Sequence, residues 1–306
     1  MLYAFGGYDS GYAVPAPLSN FSRFNPRNNS WTDLVPISNG SVPSARYAMG
    51  FTSTPDGRLF VFGGHGESGL LGDLSCYDPA VGVWTALGGG GEPPSARESM
   101  GFVATSDGRL WVYGGYHESA LGDLRSYDPD SGNWTLARDR GLLDIQIARY
   151  GMGMTAGPGA FLYVFGGSDG SDVLGDLIRY NLTRNVWESV VTTSRPIPRS
   201  LLGMASIGGI LYVFGGASAS ELGELPTILY YLDPVLSSVW RQYPASASGP
   251  SSRNGMGFAS TPNGQLYVAY GAPKIGSTVN GGCANRSSFS LYQQVMLAIL
   301  FKRDSI

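Results

Sequence analysis

Residues 59–64 read Leu-Phe-Val-Phe-Gly-Gly, and this phrase recurs along the chain. Close copies begin at Leu110, Leu162 and Leu211, another opens the chain at Leu2, and a degenerate copy lies at 266–271. The first glycines of the five intact pairs, at positions 6, 63, 114, 166 and 215, are 57, 51, 52 and 49 residues apart. A repeat of this length is one supersecondary unit that must stack on its neighbours to bury its faces. One array of such units is therefore predicted.

Each unit is predicted to contain four strands, which we name a to d. In the unit 46–87 they are residues 46–52, 59–62, 71–79 and 83–87, separated by Asp-Gly and Asp-Pro turn signals. Strand b is apolar at every position, so it requires cover on both faces. Small four-stranded sheets that pack face to face around an axis provide that cover, and the pattern predicts an all-β propeller. Tryptophans in strand d should fill the space between its blades.

The unit as a whole resembles the kelch repeat. The shared marks are an opening Arg, an aromatic strand that ends in Gly-Gly, a Leu-x-Asp-x-x-x-Tyr-Asp-Pro segment and a downstream Trp. The resemblance implies a kelch β-propeller of four-stranded antiparallel blades over residues 1–271. Its units are approximately 1–36, 46–87, 97–137, 149–190, 199–243 and a partial 253–271, followed by an irregular tail, 272–306.

The blade count is left open by the ends of this pattern. The first unit begins at strand b, and the last loses the pattern after its own strand b. Six blades with incomplete terminal blades are favoured. Five blades result instead if strand a of the last unit, residues 253–261, completes the first blade. Ragged ends of this kind are also typical of a fragment of a larger multidomain protein.

Composition excludes several classes of function. Apolar residues make up 43% of the 306 positions and charged residues 14%, which indicates a buried core rather than disorder. The net charge of −3 predicts no general attraction to nucleic acid or to an anionic membrane. The apolar run 295–301 is shorter than the roughly 20 residues that span a bilayer, so no membrane insertion is expected.

Cysteine content and the first strand favour a cytoplasmic location. Cys76 and Cys283 do not form a disulfide framework, and the predicted strand at Leu2 leaves no room for a secretory signal. A secretory parent protein stays open because of six glycosylation sequons. They begin at Asn20, Asn28, Asn39, Asn133, Asn181 and Asn285.

Two short motifs resemble catalytic signatures, but their context does not support them. Residues 64–69 match G-x-G-x-x-G, and residues 166–170 match G-x-S-x-G. Both signatures require a helix next, whereas strand c follows in each unit. We therefore expect glycine-rich turns, no catalytic residues and no cofactor.

A metal site is the alternative hypothesis. His65 and His117 occupy matching loops of adjacent units beside Glu67 and Glu118, and imidazole and carboxylate are ordinary metal ligands. Kelch-like copper-radical oxidases use a Tyr–Cys–His set, and the related iron-dependent specifier proteins use Glu-x-x-x-Asp-x-x-x-His; neither is evident here. A metal-dependent oxidase or lyase with His65 and His117 as ligands is kept as the second function.

The first hypothesis is a non-catalytic adaptor or scaffold that binds a protein or peptide. Five arginines open strand a in successive units, at Arg46, Arg97, Arg149, Arg199 and Arg253. Alternating strand direction places them on one face with the b–c and d–a loops. The kelch resemblance implies that this face binds partners through such arginines, whose planar forks suit carboxylates. Tyr8, His65, Tyr116 and His117 are expected at its rim.

A structural role for the arginines is equally consistent with the sequence. One acid per complete unit lies at the same end, and each could pair with an arginine and occupy its donors. These acids are Asp73, Asp123, Asp176 and Glu224. The b–c loops add further acids, so the face is predicted to be of mixed charge. They are Asp9, Glu67, Glu118, Asp169, Asp172 and Glu221.

Overall fold

The computed structural model describes residues 1–9, 16–34, 39–138, 148–218, 228–243, 250–251, 253–261, 263–273 and 296–299. Its strands form antiparallel sheets arranged around one axis, which confirms the predicted all-β propeller. No helix in the described part of the chain is long and apolar enough to cross a membrane.

Five blades contain strands a, b, c and d in that order from the axis outward. Blade 1 comprises Met296–Ile299, Leu2–Phe5, Phe21–Asn25 and Ser30–Asp33. Blade 2 comprises Gly50–Ser53, Leu59–Gly66, Gly69–Asp78 and Val83–Leu87, and blade 3 comprises Gly101–Ala104, Leu110–Tyr113, Leu124–Asp128 and Asn133–Leu136. Blade 4 comprises Gly153–Gly157, Phe161–Phe165, Leu177–Asn181 and Val186–Ser189, and blade 5 comprises Gly203–Ile207, Ile210–Phe214, Leu229–Leu232 and Arg241–Tyr243.

A two-stranded sheet, Gly257–Ser260 with Leu266–Ala269, completes the ring between blades 5 and 1. Further short strands extend two of the blades or form separate pairs. Asn39–Gly40 and Gly90–Gly91 add parallel outer strands to blades 2 and 3. Three small antiparallel pairs are Tyr8–Asp9 with Ala16–Pro17, Tyr116–His117 with Ser119–Ala120, and Arg253–Asn254 with Ala272–Pro273.

The ends of the propeller differ from the favoured expectation. Blade 1 is complete because Met296–Ile299 pairs with Leu2–Phe5, with Leu2 opposite Ile299 and Phe5 opposite Met296. Four-stranded blades therefore number five, but the closing strand comes from the tail that was expected to be irregular, not from residues 253–261. The physical reason is that the apolar strand Leu2–Phe5 is fully buried and needs a partner along its inner edge.

Tryptophans of strand d fill the interfaces between blades, as predicted. Trp84 of blade 2 lies 5.4 Å, between ring centroids, from Phe5 of blade 1. The same contact joins Trp134 to Phe62 at 5.5 Å, Trp187 to Tyr113 at 4.7 Å and Trp240 to Phe165 at 5.4 Å. Each of these indoles is buried, so each of these four interfaces carries one large aromatic anchor.

Close packing around the axis depends on the glycine that begins strand a in blades 2 to 5. A Cβ added at Gly50 would lie 2.4 Å from the Cβ of Phe102 in the next blade, and one at Gly203 would lie 2.3 Å from the Cβ of Phe258. Neither glycine has a positive φ, so the requirement is steric. A bulky residue of one inner strand thus rests on the bare backbone of the neighbouring strand.

Gly50→Ala should destabilise the propeller by about 1–3 kcal/mol, because the added methyl group overpacks a contact between backbone-anchored atoms. Gly88→Ala is the matched control, since a Cβ there meets nothing within 4 Å and Gly88 also lacks a positive φ. Urea denaturation of both variants measures the difference. Equal stability of the two variants would contradict the packing argument.

Cys76 lies in strand c of blade 2 and is buried. Burial raises the pKa of its thiol to about 11. The thiolate is the reactive form of cysteine, so folding suppresses its chemistry near neutral pH.

Native protein should therefore alkylate at Cys76 far more slowly than unfolded protein at pH 8. Iodoacetamide labelling of a Cys283→Ser variant, followed by intact mass, measures this at a single thiol. The rate in urea serves as the reference for an accessible cysteine. Similar rates with and without urea would show that Cys76 is not protected by the fold.

Candidate functional site

Arg97 shows how the five repeated arginines are held. Its backbone bonds to the preceding blade, because its N–H donates to the Leu71 carbonyl (3.0 Å) and its carbonyl accepts from Gly64 N–H (2.8 Å). Its side chain bonds within its own blade, where Nη1 donates to the Gly114 carbonyl at 3.0 Å and to Asp123 Oδ1 at 2.6 Å. The residue therefore cross-links two blades.

Two further arginines repeat this arrangement with a carboxylate. Arg46 pairs with Asp73 at 2.7 Å, and Arg149 pairs with Asp176 at 2.9 Å. Each also donates from Nη1 to the carbonyl of the first glycine after strand b, at Gly63 and Gly166 respectively. These ion pairs correspond to the structural role that was equally consistent with the sequence, in which each arginine pairs with an acid of its own unit.

Arg199 and Arg253 keep the carbonyl contact, but no carboxylate pairs with them within the described residues. Arg199 Nη1 donates to the Gly215 carbonyl at 2.9 Å, and its guanidinium lies 5.1 Å from the Tyr230 ring centroid. Arg253 Nη1 donates to the Tyr270 carbonyl at 2.7 Å. Burial lowers the pKa of both guanidinium groups. Glu224, the acid expected beside Arg199, lies outside the described residues.

The geometry of the arginines favours a structural role over contact with a partner. Arg46, Arg97, Arg149 and Arg199 are 0–2% exposed. Their donors are directed at backbone carbonyls and carboxylates inside the propeller rather than at the face. A serine two positions earlier adds a bond that the sequence analysis missed, and the Ser-x-Arg spacing is its signal. It occurs at Ser44, Ser95 and Ser251.

Two arginines stabilise the ionised form of Asp123. Burial acts to raise the pKa of this carboxyl, but hydrogen bonds and charges from Arg97 and Arg125 outweigh it and lower the pKa below its ordinary value. Because the pKa of Asp123 is lower in the folded state than in the unfolded state, the ionised carboxylate stabilises the fold. This stabilisation is complete above the unfolded pKa, about 3.9. It is lost as the pH falls through the folded value.

Asp123→Asn should cost about 3 kcal/mol at pH 7, because it leaves the buried Arg97 guanidinium without its counter-charge. The difference from wild type should shrink as the pH falls below about 4, where the wild-type carboxyl also becomes protonated. Urea titrations at pH 7 and pH 3 measure both effects. Asp130→Asn, at an exposed turn, is the matched control, and a loss as large there would contradict the prediction.

In blades 2 to 5, the outer surface above the arginines is formed by a pair of residues from each blade. The residue after each arginine and the residue after each glycine pair form one antiparallel bridge. Tyr47 and His65 form it in blade 2, with N–H to carbonyl distances of 3.0 and 2.8 Å. In blades 3, 4 and 5 the bridges are Glu98 with Tyr116, Tyr150 with Ser168, and Ser200 with Ala217.

Four blades contribute aromatic side chains to this surface, in two contacting pairs. Tyr8 of blade 1 lies 5.0 Å from Tyr47 of blade 2 between ring centroids, and Tyr116 of blade 3 lies 5.1 Å from Tyr150 of blade 4. All are half-buried. We call the following six residues the aromatic arc: Tyr8, Tyr47, His65, Glu98, Tyr116 and Tyr150.

A chain of peptide hydrogen bonds fixes the spacing of the arc. Ser99 N–H donates to the Ala48 carbonyl (2.8 Å), Gly151 to Ser99 (2.8 Å), Leu201 to Gly151 (2.6 Å) and Gly255 to Leu201 (3.0 Å). Each of these five residues has a φ between 50° and 63°. They line one end of a cavity of about 550 Å³ along the axis. The arc residues Tyr47, Glu98 and Tyr150 immediately precede three of them, so these three are neighbours around that mouth.

Of the predicted rim residues, Tyr8, His65 and Tyr116 belong to the arc. His65 Nδ1 lies 2.9 Å from the Tyr47 hydroxyl. His117 lies beside the arc, and its Nδ1 is 2.6 Å from the Ala96 carbonyl, which requires the ring to donate there. Three arc residues were not predicted from the sequence: Tyr47, Glu98 and Tyr150. Their common signal is the position directly after a repeated arginine.

The described residues contain no group of three or more His, Cys, Asp and Glu side chains placed to hold a metal ion. In each of the two histidines, one ring nitrogen is already committed to Tyr47 or to Ala96. Residues 64–69 form the hairpin between strands b and c, and residues 166–170 form turns, so neither motif leads into a helix.

Comparison with known proteins identifies the repeat. A family model described as the KLHDC2/KLHL20/DRC7 Kelch-repeats domain matches residues 1–146 and 143–281. The leucine-zipper-like transcriptional regulator 1 homolog of Drosophila melanogaster is 25% identical over 322 residues, which cover 97% of this chain and 30% of that protein.

Two other relatives match shorter stretches. Multiple epidermal growth factor-like domains protein 8 of Mus musculus is 35% identical over 117 residues, or 37% of this chain and 4% of that protein. The N-(sulfonatooxy)prop-2-enimidothioate sulfolyase of Thlaspi arvense is 28% identical over 191 residues, or 60% of this chain and 53% of that enzyme. The chain thus spans about half or less of the length of each of these relatives.

Proposed function

Because this chain belongs to the Kelch-repeat family, we propose that it is a non-catalytic interaction module, an adaptor or scaffold. It binds a protein or peptide on the face that carries the aromatic arc. The observation that carries this proposal is the arc itself, in which paired tyrosines from four blades lie half-buried at one surface. Tyrosines of this kind supply much of the binding energy in protein interfaces.

The contact residues follow from what is accessible on this face. Tyr8, His65, Tyr116 and His117 contact the partner, together with the arc residues Tyr47, Glu98 and Tyr150. The repeated arginines act beneath them by holding the blades in register. The exposed loop acids Glu67 and Glu118 flank the site and favour encounter with a partner that is not acidic.

The paired variant Tyr116→Ala, Tyr150→Ala tests the proposal. It should weaken partner binding about 30-fold or more, since each lost interface tyrosine typically costs at least 1 kcal/mol. Tyr231→Ala, Tyr243→Ala is the matched control, because the rings of this pair are also in contact, at 4.7 Å between centroids, but on the outer strands of blade 5. Wild type and both variants serve as bait in a lysate of the source cell, and captured proteins are identified by mass spectrometry.

Partners retained by the control and lost with the arc variant support the proposal, provided that the melting temperatures match. Capture of the same proteins by both variants would place the interaction elsewhere. The second function, a metal-dependent oxidase or lyase, draws on the similarity to the Thlaspi arvense sulfolyase. Stoichiometric iron or copper in the purified protein, lost in a His65→Ala, His117→Ala variant, would favour that function over the first.

A further inference from the structure

Glu98 occupies a singular position in the aromatic arc. The described residues of the two surface rows, those after each arginine and those after each glycine pair, include one charged side chain, and it is Glu98. The other members are tyrosine, histidine, serine, alanine and asparagine. A lone carboxylate therefore lies among neutral, mostly aromatic neighbours.

Three tyrosines are backbone neighbours of Glu98. Tyr116 is its bridge partner in the same blade, with N–H to carbonyl distances of 3.2 and 2.8 Å. Tyr47 and Tyr150 are its neighbours in blades 2 and 4, because the residues that follow all three are hydrogen-bonded in succession. Burial raises the pKa of the Tyr47 hydroxyl, and the negative charge of Glu98 raises it further.

The positive charges nearest to this carboxylate are neutralised internally. Arg97 precedes Glu98 in sequence, but its guanidinium is buried and paired with Asp123. Arg46 and Arg149, in the blades on either side, are buried and paired in the same way. The surface presented by blades 2 to 4 therefore combines the negative faces of aromatic rings with an anionic group, and the exposed Glu67 and Glu118 lie beside it.

We propose that the arc binds a cationic side chain, an arginine of a partner protein, between the tyrosine rings and the Glu98 carboxylate. A guanidinium group is planar and stacks on tyrosine faces while its N–H groups donate to a carboxylate. This inference rests on the proposed function and names the chemistry of the partner. It differs from the expectation that the repeated arginines of this face recognise a carboxylate of the partner.

Saturation-transfer NMR with a defined probe tests the proposal. The probe is the acetylated peptide Gly-Ser-Gly-Ser-Arg-Gly-Ser-Gly-Ser, and its partner probe carries citrulline in place of arginine, which keeps the shape and removes the charge. The arginine peptide should bind wild type about tenfold more tightly than the citrulline peptide, as expected for a desolvated cation–π and carboxylate site. Equal affinity of the two peptides would overturn the proposal.

Protein variants separate a local site from general electrostatic attraction. Glu98→Gln should weaken binding of the arginine peptide about fivefold, and Tyr150→Leu by a similar factor. Asp130→Asn removes one negative charge at an exposed turn between strands c and d, away from the arc, and should leave the affinity unchanged. If Asp130→Asn weakens binding as much as Glu98→Gln, the attraction is diffuse and the proposed site is wrong.

The two proposals fail in different ways. Loss of a captured partner from the Tyr116→Ala, Tyr150→Ala bait, combined with no preference for arginine over citrulline, leaves the interaction module intact and rejects the cationic ligand. Retention of all partners by that bait rejects the binding face itself. A preference for arginine that disappears in Glu98→Gln, with melting temperature unchanged, supports the further inference directly.

Discussion

The rest of this propeller depends on the buried arginine that opens each repeat. Its backbone bonds to the preceding blade while its guanidinium bonds to the end of strand b in its own blade, as Arg97 does with Gly64 and Gly114. A single residue therefore fixes the distance and the angle between two sheets. Because a buried guanidinium is costly without partners, a backbone carbonyl accepts from the arginine in all five repeats, and an aspartate pairs with it in three of them.

The glycines of the repeat follow from the same constraint. The first glycine after strand b has a positive φ and lies against the arginine carbonyl of the next blade; a Cβ at Gly63 would be 2.8 Å from that oxygen. A side chain there would push the blades apart and break the arginine contacts. The Gly-Gly pair and the arginine thus form one contact between adjacent blades, which we call a joint. This explains why they recur together along the chain.

Much of the fold could be predicted from sequence because these joints repeat at regular intervals. The first blade could not, because its inner strand, Met296–Ile299, carries neither the arginine nor the glycine and is set only by the need of Leu2–Phe5 for a partner. Tyr8, His65 and Tyr116 were predicted, with His117, at the rim of the expected binding face, which the b–c and d–a loops form. Tyr47, Glu98 and Tyr150 were missed, because only the bridges between strands show that they stand beside those residues.

The peptide hydrogen bonds around the cavity mouth have a consequence for the energetics of recognition. Side chains that contact a partner usually stand on loops, and ordering such loops subtracts from the affinity of the complex. Here Tyr47, Glu98 and Tyr150 stand on backbone already held on both sides by neighbouring blades. The conformational entropy of their backbone is therefore lost during folding rather than on binding of a partner. Under the proposed function, a surface prepared in this way would discriminate among ligands by fit, and differences in affinity should appear mainly as differences in residence time.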